Sequence, residues 1–375
     1  MSDEAAADDE TVEGDGDEDL VVEDLVVAAV GGEGEARAPV HLSDGHRGGH
    51  LAVLAFDAAG RPALLEHAFV VENECHGWRL DRFLMKRMRR LSRARIQRVI
   101  HGDLDIGSVK VTRPAARVQA GQVVRFRRPA PVEPDVPRNV GVLLADPEVY
   151  ALDKPAGLPI HPTARYHYST LTAVLRERFP GERLEMCHRL DRETSGVLLV
   201  GRTPTAGPLI KRAFAKRQIE KTYLAICHGD LASETVVDAP LGLDGGRVRI
   251  KMAIRAVAQG GLVARTRFVP LARFAGFTLV EAHPETGRQH QIRAHLDHIG
   301  HPIVGDKLYP HEERFIEWAD HGMSDELLAD LTLPRHALHA AALVFPHPVT
   351  GERIRVESPL PDDLVAHLAT LQPLG

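Results

Sequence analysis

Apolar residues recur with different periods in successive stretches of the chain, and the changes of period divide it. From Leu80 onward, Leu80, Phe83, Leu84 and Met88 fall on one face of a helix, while Arg82, Lys86, Arg89 and Arg90 fall elsewhere. Ser92 is placed to cap a second helix, with Ile96, Val99 and Ile100 on its apolar side and Arg93, Arg95 and Arg98 beside them. After a break at Gly102-Asp103, alternation through Ile106, Val109, Val111, Val118, Val123 and Phe126 predicts a small β unit ending at Arg127, Arg128 and Pro129. Four prolines in the nine residues from Pro129 to Pro137, PAPVEPDVP, hold the chain extended and mark a domain boundary. Beyond it the apolar runs VGVLLA, VYALD, VLLVG and YLAIC outnumber helical stretches, with no internal repeat. A mixed α+β domain with a substantial sheet is predicted there.

Upstream, residues 50–71 contain LAVLAFDAAGRPALLEHAFVV, which reads as two strands around an Asp-Ala-Ala-Gly turn with no role assigned to them. Residues 1–36 hold only two small apolar islands, around Val21 and Val26, and cannot bury enough surface to offset the entropy of ordering. The expected layout is an acidic disordered tail at 1–36, an extension of uncertain role at 37–77, a small α/β module at 78–128, a linker at 129–138 and the main domain at 139–375.

Charge sharpens this division. The formal net charge is −6, yet residues 1–36 carry fourteen Asp or Glu and no Lys or Arg, leaving +8 on the rest. Between Trp78 and Arg128, fifteen Lys or Arg stand against three Asp. Such concentration suits a polyanionic partner, because neutralised phosphates release condensed counterions; a solvated helix face is the mundane alternative. Cys75, Cys187 and Cys227 have no short paired spacing, so neither a disulfide framework nor a cysteine zinc site is read. The opening MSDEAAADDE is acidic where a secretory signal would be basic, and no apolar run approaches the ~18 residues a bilayer span needs. A cytoplasmic protein without membrane contact is expected.

The segment richest in chemistry is HRLDRETSGVLLV at 188–200, a polar turn eased by Gly196 that runs into an apolar strand. A carboxylate there sits at the rim of a sheet, where clefts form. On chemistry alone Asp191 is equally a structural ion-pair partner or a catalytic group. A competing constellation is His290, His295, His298 and His301, which could bring two imidazoles to one helical face as metal ligands, although no H-E-x-x-H pattern accompanies them.

HRLDRETSGVLLV resembles the signature of the RluA-type pseudouridine synthases. LDKPAGLPIHP at 152–162, KTYLAICHG at 221–229, KMAI at 251–254, ETGRQHQIRAHLDHIGHPIVGDKLYP at 285–310 and HALHAAALVFPHPVTGE at 336–352 agree with it in order, covering about residues 140–362. WRLDRFLMKRM…SRARIQRVIHGD…G is similar to the alpha-L RNA-binding module of ribosomal-protein type. The resemblance implies an α+β catalytic domain with a mixed, mainly antiparallel sheet, isomerising uridine to pseudouridine in RNA. That reaction conserves every atom and the redox state, so no cofactor, nucleotide or metal is implied. Asp191 matches the aspartate that acts at the sugar, Arg293 the active-site arginine beside it, and Tyr223 a tyrosine whose ring stacks on the base. Arg189 matches the residue that fills the space left by the extruded uridine. Arg192, Lys221, Arg288 and Gln291 are further candidate substrate contacts, with His161, His188 and His339 structural or substrate-contacting. Arg82, Lys86, Arg89, Arg90, Arg93, Arg95 and Arg98 are the candidate RNA contacts of the module.

Large-subunit ribosomal RNA is the favoured substrate, with transfer RNA the alternative, since a tethered module helps most on a large folded RNA. A monomer is expected. Two rivals stand beside this reading: a catalytically silent RNA-binding assembly protein, against which Asp191, Tyr223 and Arg293 together argue, and a hydrolase built on the histidine cluster.

Overall fold

The computed structural model describes residues 64–88, 91–129, 132–163 and 166–374. The acidic tail, most of the 37–77 extension, and Arg89 and Arg90 lie outside the described residues. The chain divides into two compact units between Val132 and Glu133, inside the proline-rich stretch. Among the described residues no helix is long and apolar enough to cross a membrane.

The first unit is built from β1 (Leu64–Val70), α1 (Leu80–Arg87), α2 (Arg93–His101), β2 (Asp103–Ile106), β3 (Val109–Lys110) and β4 (Val123–Pro129). Its strands form an antiparallel sheet in the order β1-β4-β2-β3. The helical periodicity is realised as expected: Leu80, Phe83, Leu84, Met88, Ile96 and Ile100 bury together against Leu104, Val118, Val124 and Phe126. Ser92 caps α2 by accepting from the Arg95 N–H. The unassigned 64–70 segment acquires a role as β1, paired along its whole length with β4. Val109, expected inside by alternation, is exposed, because the positive φ of Gly107 and Ser108 turns the short β2–β3 hairpin outward.

The second unit runs β5 (Gly141–Ala145), β6 (Val149–Lys154), α3 (Leu171–Arg178), β7 (Glu185–Met186), β8 (Ser195–Gly201), α4 (Ala206–Ala215) and β9 (Glu220–His228). It continues through β10 (Thr235–Asp238), β11 (Leu241–Leu243), β12 (Met252–Ile254), β13 (Arg265–Phe274), β14 (Phe277–Pro284), α5 (Gln291–His298), α6 (Glu312–His321) and α7 (Asp325–Leu331). It closes with β15 (Leu338–Pro346), β16 (Arg353–Glu357) and α8 (Asp362–Thr370). One large sheet runs β10-β13-β14-β9-β15-β8-β6-β5, with β16 on β15 and β7 on β8. Only the β15–β8 pairing is parallel among the described residues, so the sheet is mixed and mainly antiparallel.

The continuous apolar run of β8 reflects burial on both faces. Leu198 and Val200 face α3 through Leu171, Val174 and Leu175, whereas Val197 and Leu199 face α4 through Ile210 and Ala213. A third cluster packs Ile226, Phe268 and Val280 against Ile292 and Leu296 of α5 and Leu364 of α8. Across the middle of the sheet the register aligns Tyr223, Ala340, Gly196 and Lys154 in one row on β9, β15, β8 and β6. The turn carrying Asp191 enters β8 at this row.

Gly196 is required by that crossing. Its φ is 110°, and a Cβ there would lie 2.2 Å from the Ala340 carbonyl oxygen, in backbone that cannot yield. Gly276, in the open β13–β14 hairpin, has a φ of 82° and nothing within 4 Å. Urea unfolding should therefore show Gly196→Ala losing about 3 kcal/mol or more and Gly276→Ala only about 1 kcal/mol. Equal losses would mean that the β8–β15 approach is not the constraint.

Candidate active site

Asp191 lies on the turn between β7 and β8, closed by the Thr194 N–H donating to the Asp191 carbonyl at 3.1 Å. The turn is held from below by Lys154. Its fully buried ammonium donates to the carbonyls of Pro155 (2.9 Å), Leu158 (2.9 Å) and Arg192 (3.1 Å), using all three of its protons. Burial pulls this ammonium down to about 7, while the Asp191 charge works in the opposite sense. The three carbonyl acceptors also favour the protonated form. A second clamp is Glu193, which accepts from the buried Lys307 ammonium at 2.9 and 3.0 Å, from Arg192 at 2.7 Å and from the His336 N–H at 3.3 Å. Thr194 then meets Nε2 of His336 at 2.8 Å.

Facing the turn is Arg293, buried in the first turns of α5. Its Nε and Nη2 donate to the two oxygens of Asp306 at 2.7 and 2.9 Å, and its Nη1 donates to Oδ2 of Asp191 at 2.8 Å. Asp306 is fully buried and also accepts from the Leu308 and Tyr309 N–H groups at 2.9 and 3.1 Å. This fork geometry is particular to a guanidinium. Gly305 permits it: its φ is 76°, and a Cβ would lie 2.1 Å from the Arg335 carbonyl oxygen. The Asp191 side chain is 22% exposed, so the chain of charges opens to solvent at that end.

Burial alone would raise the Asp191 carboxyl; His290, Arg293 and His336 instead hold it well below the usual carboxylate range, the two imidazoles contributing charge only in acid, where the carboxyl itself titrates. Burial keeps His290 down at about 4 and His336 at about 3, so both imidazoles are neutral at neutral pH. The standing cation is therefore Arg293. Asp306, opposed by burial and stabilised by Arg293, sits at about 2. Tyr223 approaches from β9; burial and the nearby Asp191 charge raise its phenol above the ordinary range, keeping it protonated. Its hydroxyl has no hydrogen-bond partner among the described residues and is not sealed from solvent.

Asp191, Arg293 and Tyr223 thus come together. Lys221, two residues before Tyr223, donates to the Thr286 carbonyl at 2.7 Å, and burial lowers it to about 8. Arg189 is exposed beside the turn. Arg288 is half-buried and donates to the Val263 carbonyl at 3.2 Å. Two further candidates are engaged by neighbouring protein groups. Gln291 accepts from Thr286 and the Arg288 N–H, and donates to the Arg265 carbonyl and Thr266, so its amide is consumed in holding the loop and offers nothing to a substrate. Arg192 is bound by Glu193 and by the Tyr166 hydroxyl at 3.0 Å and lies over the Trp318 ring at 4.6 Å, so it braces the turn while part of its guanidinium stays exposed.

The histidines do not converge. His295 meets Thr266 and the Ala239 carbonyl, His301 meets the His228 carbonyl, and His290 meets Tyr309. His188 accepts from the Leu199 N–H, His339 joins Ser195 to the Ser358 carbonyl, and His161 is exposed. Among the described residues the group closest to a metal-ligand cluster is Glu72, Glu74 and Cys75, and the Lys86 ammonium already sits among them. Lys86, expected to contact RNA, is thereby engaged by acidic neighbours. Asp306, Lys154, Glu193, Lys307 and His336 were not singled out from sequence. Their signal was charge inside apolar or glycine-flanked strings, LDKP and GDKLYP, which periodicity cannot pair.

Comparison with known proteins shows what the chain as a whole is similar to. A sequence model of the family described as RNA pseudouridylate synthase matches residues 148–298. The ribosomal large subunit pseudouridine synthase D of Xanthomonas campestris pv. campestris is 36% identical over 313 residues, 81% of this chain and 92% of that protein. The protein of the same name from Pseudomonas aeruginosa is 34% identical over 319 residues, 82% of this chain and 97% of that one. Among solved structures, human RNA pseudouridylate synthase domain containing 1 superposes with a TM-score of 0.50 at 27% identity, covering 65% of this chain and 92% of that one.

The buried Arg293–Asp306 pair sets a pH dependence. Asp306 is depressed from 3.8 to about 2, so its stabilisation is complete above about pH 4 and is lost as pH falls towards 2. Asp306→Asn removes one partner of a buried pair, which should cost about 3–5 kcal/mol at neutral pH. In urea titrations the gap between wild type and variant should stay constant above pH 4 and narrow below it. A gap independent of pH down to 2 would contradict the assignment.

Proposed function

This chain belongs to the RluA-type family of pseudouridine synthases, and from that premise we propose that it modifies a uridine of large-subunit ribosomal RNA with Asp191 as the group acting at the ribose. It is an isomerase that converts uridine to pseudouridine in RNA. The observation that carries the proposal is a carboxylate kept ionised by a buried arginine yet open to solvent on one side.

The reaction breaks the bond between uracil N1 and the sugar, turns the base and forms a bond from the sugar to its C5; the C5 proton is then lost and N1 gains one, so the atoms balance. Asp191 either attacks the sugar or removes a sugar proton, and both roles need the charged form. Arg293 maintains that charge. The Tyr223 ring is suited to stack on the uracil, with its protonated hydroxyl available for proton transfer. A stacked uridine must leave the helix to reach this depth, at a cost of a few kcal/mol, and Arg189, which the family resemblance assigns to the vacancy, is the residue proposed to occupy it. The substrate assignment rests on what the relatives are named for and on the basic module. There Arg82, Arg93, Arg95 and Arg98 are exposed on α1 and α2, whereas Arg127 of the sheet is paired with Glu66 and Asp105. Phosphate contact is accordingly assigned to the helices.

Asp191→Asn should lower turnover by about 10²–10⁴-fold or more while leaving RNA affinity within a few fold. Activity within ten-fold of wild type would sink the mechanism. Tyr223→Phe keeps the ring and should be no more damaging than Tyr223→Ala; the reverse order would remove the stacking role. Joint replacement of Arg82, Arg93 and Arg98 by Ala should reduce the slope of log affinity against log salt by about 2–3, at roughly 0.7–0.9 per lost phosphate contact. Lys86→Ala should barely change that slope. Pseudouridine mapping of total RNA from cells with and without the protein tests the substrate: a site lost only from transfer RNA would overturn the ribosomal assignment and leave the chemistry standing.

A further inference from the structure

His290 is the last residue of the loop before α5, and its backbone is left-handed, with φ 53° and ψ 16°. For a residue other than glycine this costs about 1–2 kcal/mol and is held only where the surroundings demand it. The Ala294 N–H donates to its carbonyl at 2.9 Å, and its ring is buried edge-on against Tyr309, with centroids 5.9 Å apart. Arg293, one turn along, lies with its Cζ 5.2 Å from the same Tyr309 ring while holding Asp191 at 2.8 Å. His290 and Arg293 therefore both contact Tyr309, and both act electrostatically on the Asp191 carboxylate. The charged groups acting on the imidazole are Arg293, Asp191, Asp306 and Arg189.

Proton accounting fixes the state of the ring. The Tyr309 hydroxyl has one proton and two lone pairs. It is 3.0 Å from the Met252 carbonyl, which can only accept, and 2.9 Å from the Met252 N–H, which can only donate. The hydroxyl proton is thus committed to the carbonyl and one lone pair to the N–H. The remaining lone pair faces Nδ1 of His290 at 3.3 Å, so Nδ1 must carry the proton and donate. In the neutral imidazole Nε2 then holds a bare lone pair. That atom makes no hydrogen bond among the described residues and is not among the sealed, unpaired polar atoms, so it opens towards solvent. Burial, with Arg293 next, keeps the ring neutral at neutral pH.

An acceptor held beside Asp191 calls for a donor on the nucleoside. With Asp191 at the ribose, the groups adjacent to the glycosidic bond are the uracil 2-carbonyl and C6–H, neither of which donates usefully, and the ribose 2′-hydroxyl, which does. The imide N–H lies across the ring. We infer that Nε2 of His290 accepts a hydrogen bond from the 2′-hydroxyl of the target uridine, making His290 a positioning residue that distinguishes a ribonucleotide from a deoxyribonucleotide at the reaction site. This rests on the reading of Asp191 above.

The test uses a short RNA with uridine at the target and the same RNA with a single 2′-deoxyuridine there. They are compared by kcat/KM, or by Ki against the uridine RNA should the deoxynucleotide not turn over. His290→Asn keeps a donor at the Nδ1 position and tolerates left-handed backbone but lacks Nε2; His290→Gln returns an acceptor near Nε2. The wild-type enzyme should prefer the ribonucleotide by about ten-fold, the worth of one hydrogen bond. His290→Asn should reduce that preference to within about two-fold, and His290→Gln should regain part of it. An unchanged preference in a His290→Asn enzyme of normal urea stability overturns the inference. So does a His290→Asn defect that disappears when the target imide is N-methylated rather than when the hydroxyl is removed. Nitrogen NMR of the histidine-labelled wild-type enzyme gives a readout independent of how the variants fold. It should show the Nδ1-protonated tautomer, with an Nε2 signal that moves on adding the ribo but not the deoxy RNA; an Nε2-protonated ring overturns the proposal. Absence of pseudouridine from the wild-type enzyme on every RNA would instead remove the parent reading, and this inference with it.

Discussion

The site depends on one buried guanidinium. Taking Arg293 out of water is tolerable only if opposite charge meets it with good geometry, and a single carboxylate satisfying both Nε and Nη2 supplies most of that compensation. Asp306 is spent entirely in this way, and two backbone N–H groups occupy what remains of its oxygens. The pair is therefore a fixed part of the core, and whatever touches Nη1 is positioned by it. The glycine before Asp306 and the glycine entering β8 each let backbone approach where a Cβ would collide with a carbonyl.

The turn bearing Asp191 is braced from the opposite side by charges that never reach solvent. Lys154 gathers three carbonyls, one of them from the residue after Asp191, and Lys307 bridges to Glu193 two residues further on. Both lysines are burdened by burial and neither has a charge to spare. Their function is to over-determine the turn so that the Asp191 carboxylate cannot retreat to water. Such rigidity matters more for catalysis than for net stability, since ion pairs of this kind often contribute little to folding beyond an apolar equivalent.

Much of this was legible in the sequence because it is local. HRLDRETSGVLLV spells a polar turn and then a strand apolar on both faces, and it folds as that; the helical faces of the module are equally plain in Leu80, Phe83, Leu84, Ile96 and Ile100. What depends on distant partners was not legible. Asp306 stands thirteen residues from Arg293 in a string that was recognised as a whole, and nothing in its spacing says that its oxygens face that guanidinium. Gln291 is a candidate substrate contact by resemblance, and nothing in the sequence says that its amide is engaged by Thr286, Arg288, Arg265 and Thr266. Lys86 lies in a basic run, yet Glu72 and Glu74 from the preceding segment determine what its charge does.

The division of labour at Arg293 also explains how Asp191 stays ionised with one oxygen unengaged, as the proposed role requires. A bidentate Arg293–Asp191 pair would occupy both carboxylate oxygens and make the group a structural salt bridge. Because Asp306 has taken the fork, Asp191 receives one hydrogen bond, to Oδ2, and Oδ1 has no partner among the described residues. The neighbouring imidazoles are held neutral, so they do not supply further cations that would hold the carboxylate inactive. The result is a carboxylate with a depressed proton affinity, one anchored oxygen and one free oxygen at the open end of a buried charge chain. That asymmetry is what favours the proposed reactive role over the structural ion-pair partner that Asp191 could equally have been on composition alone.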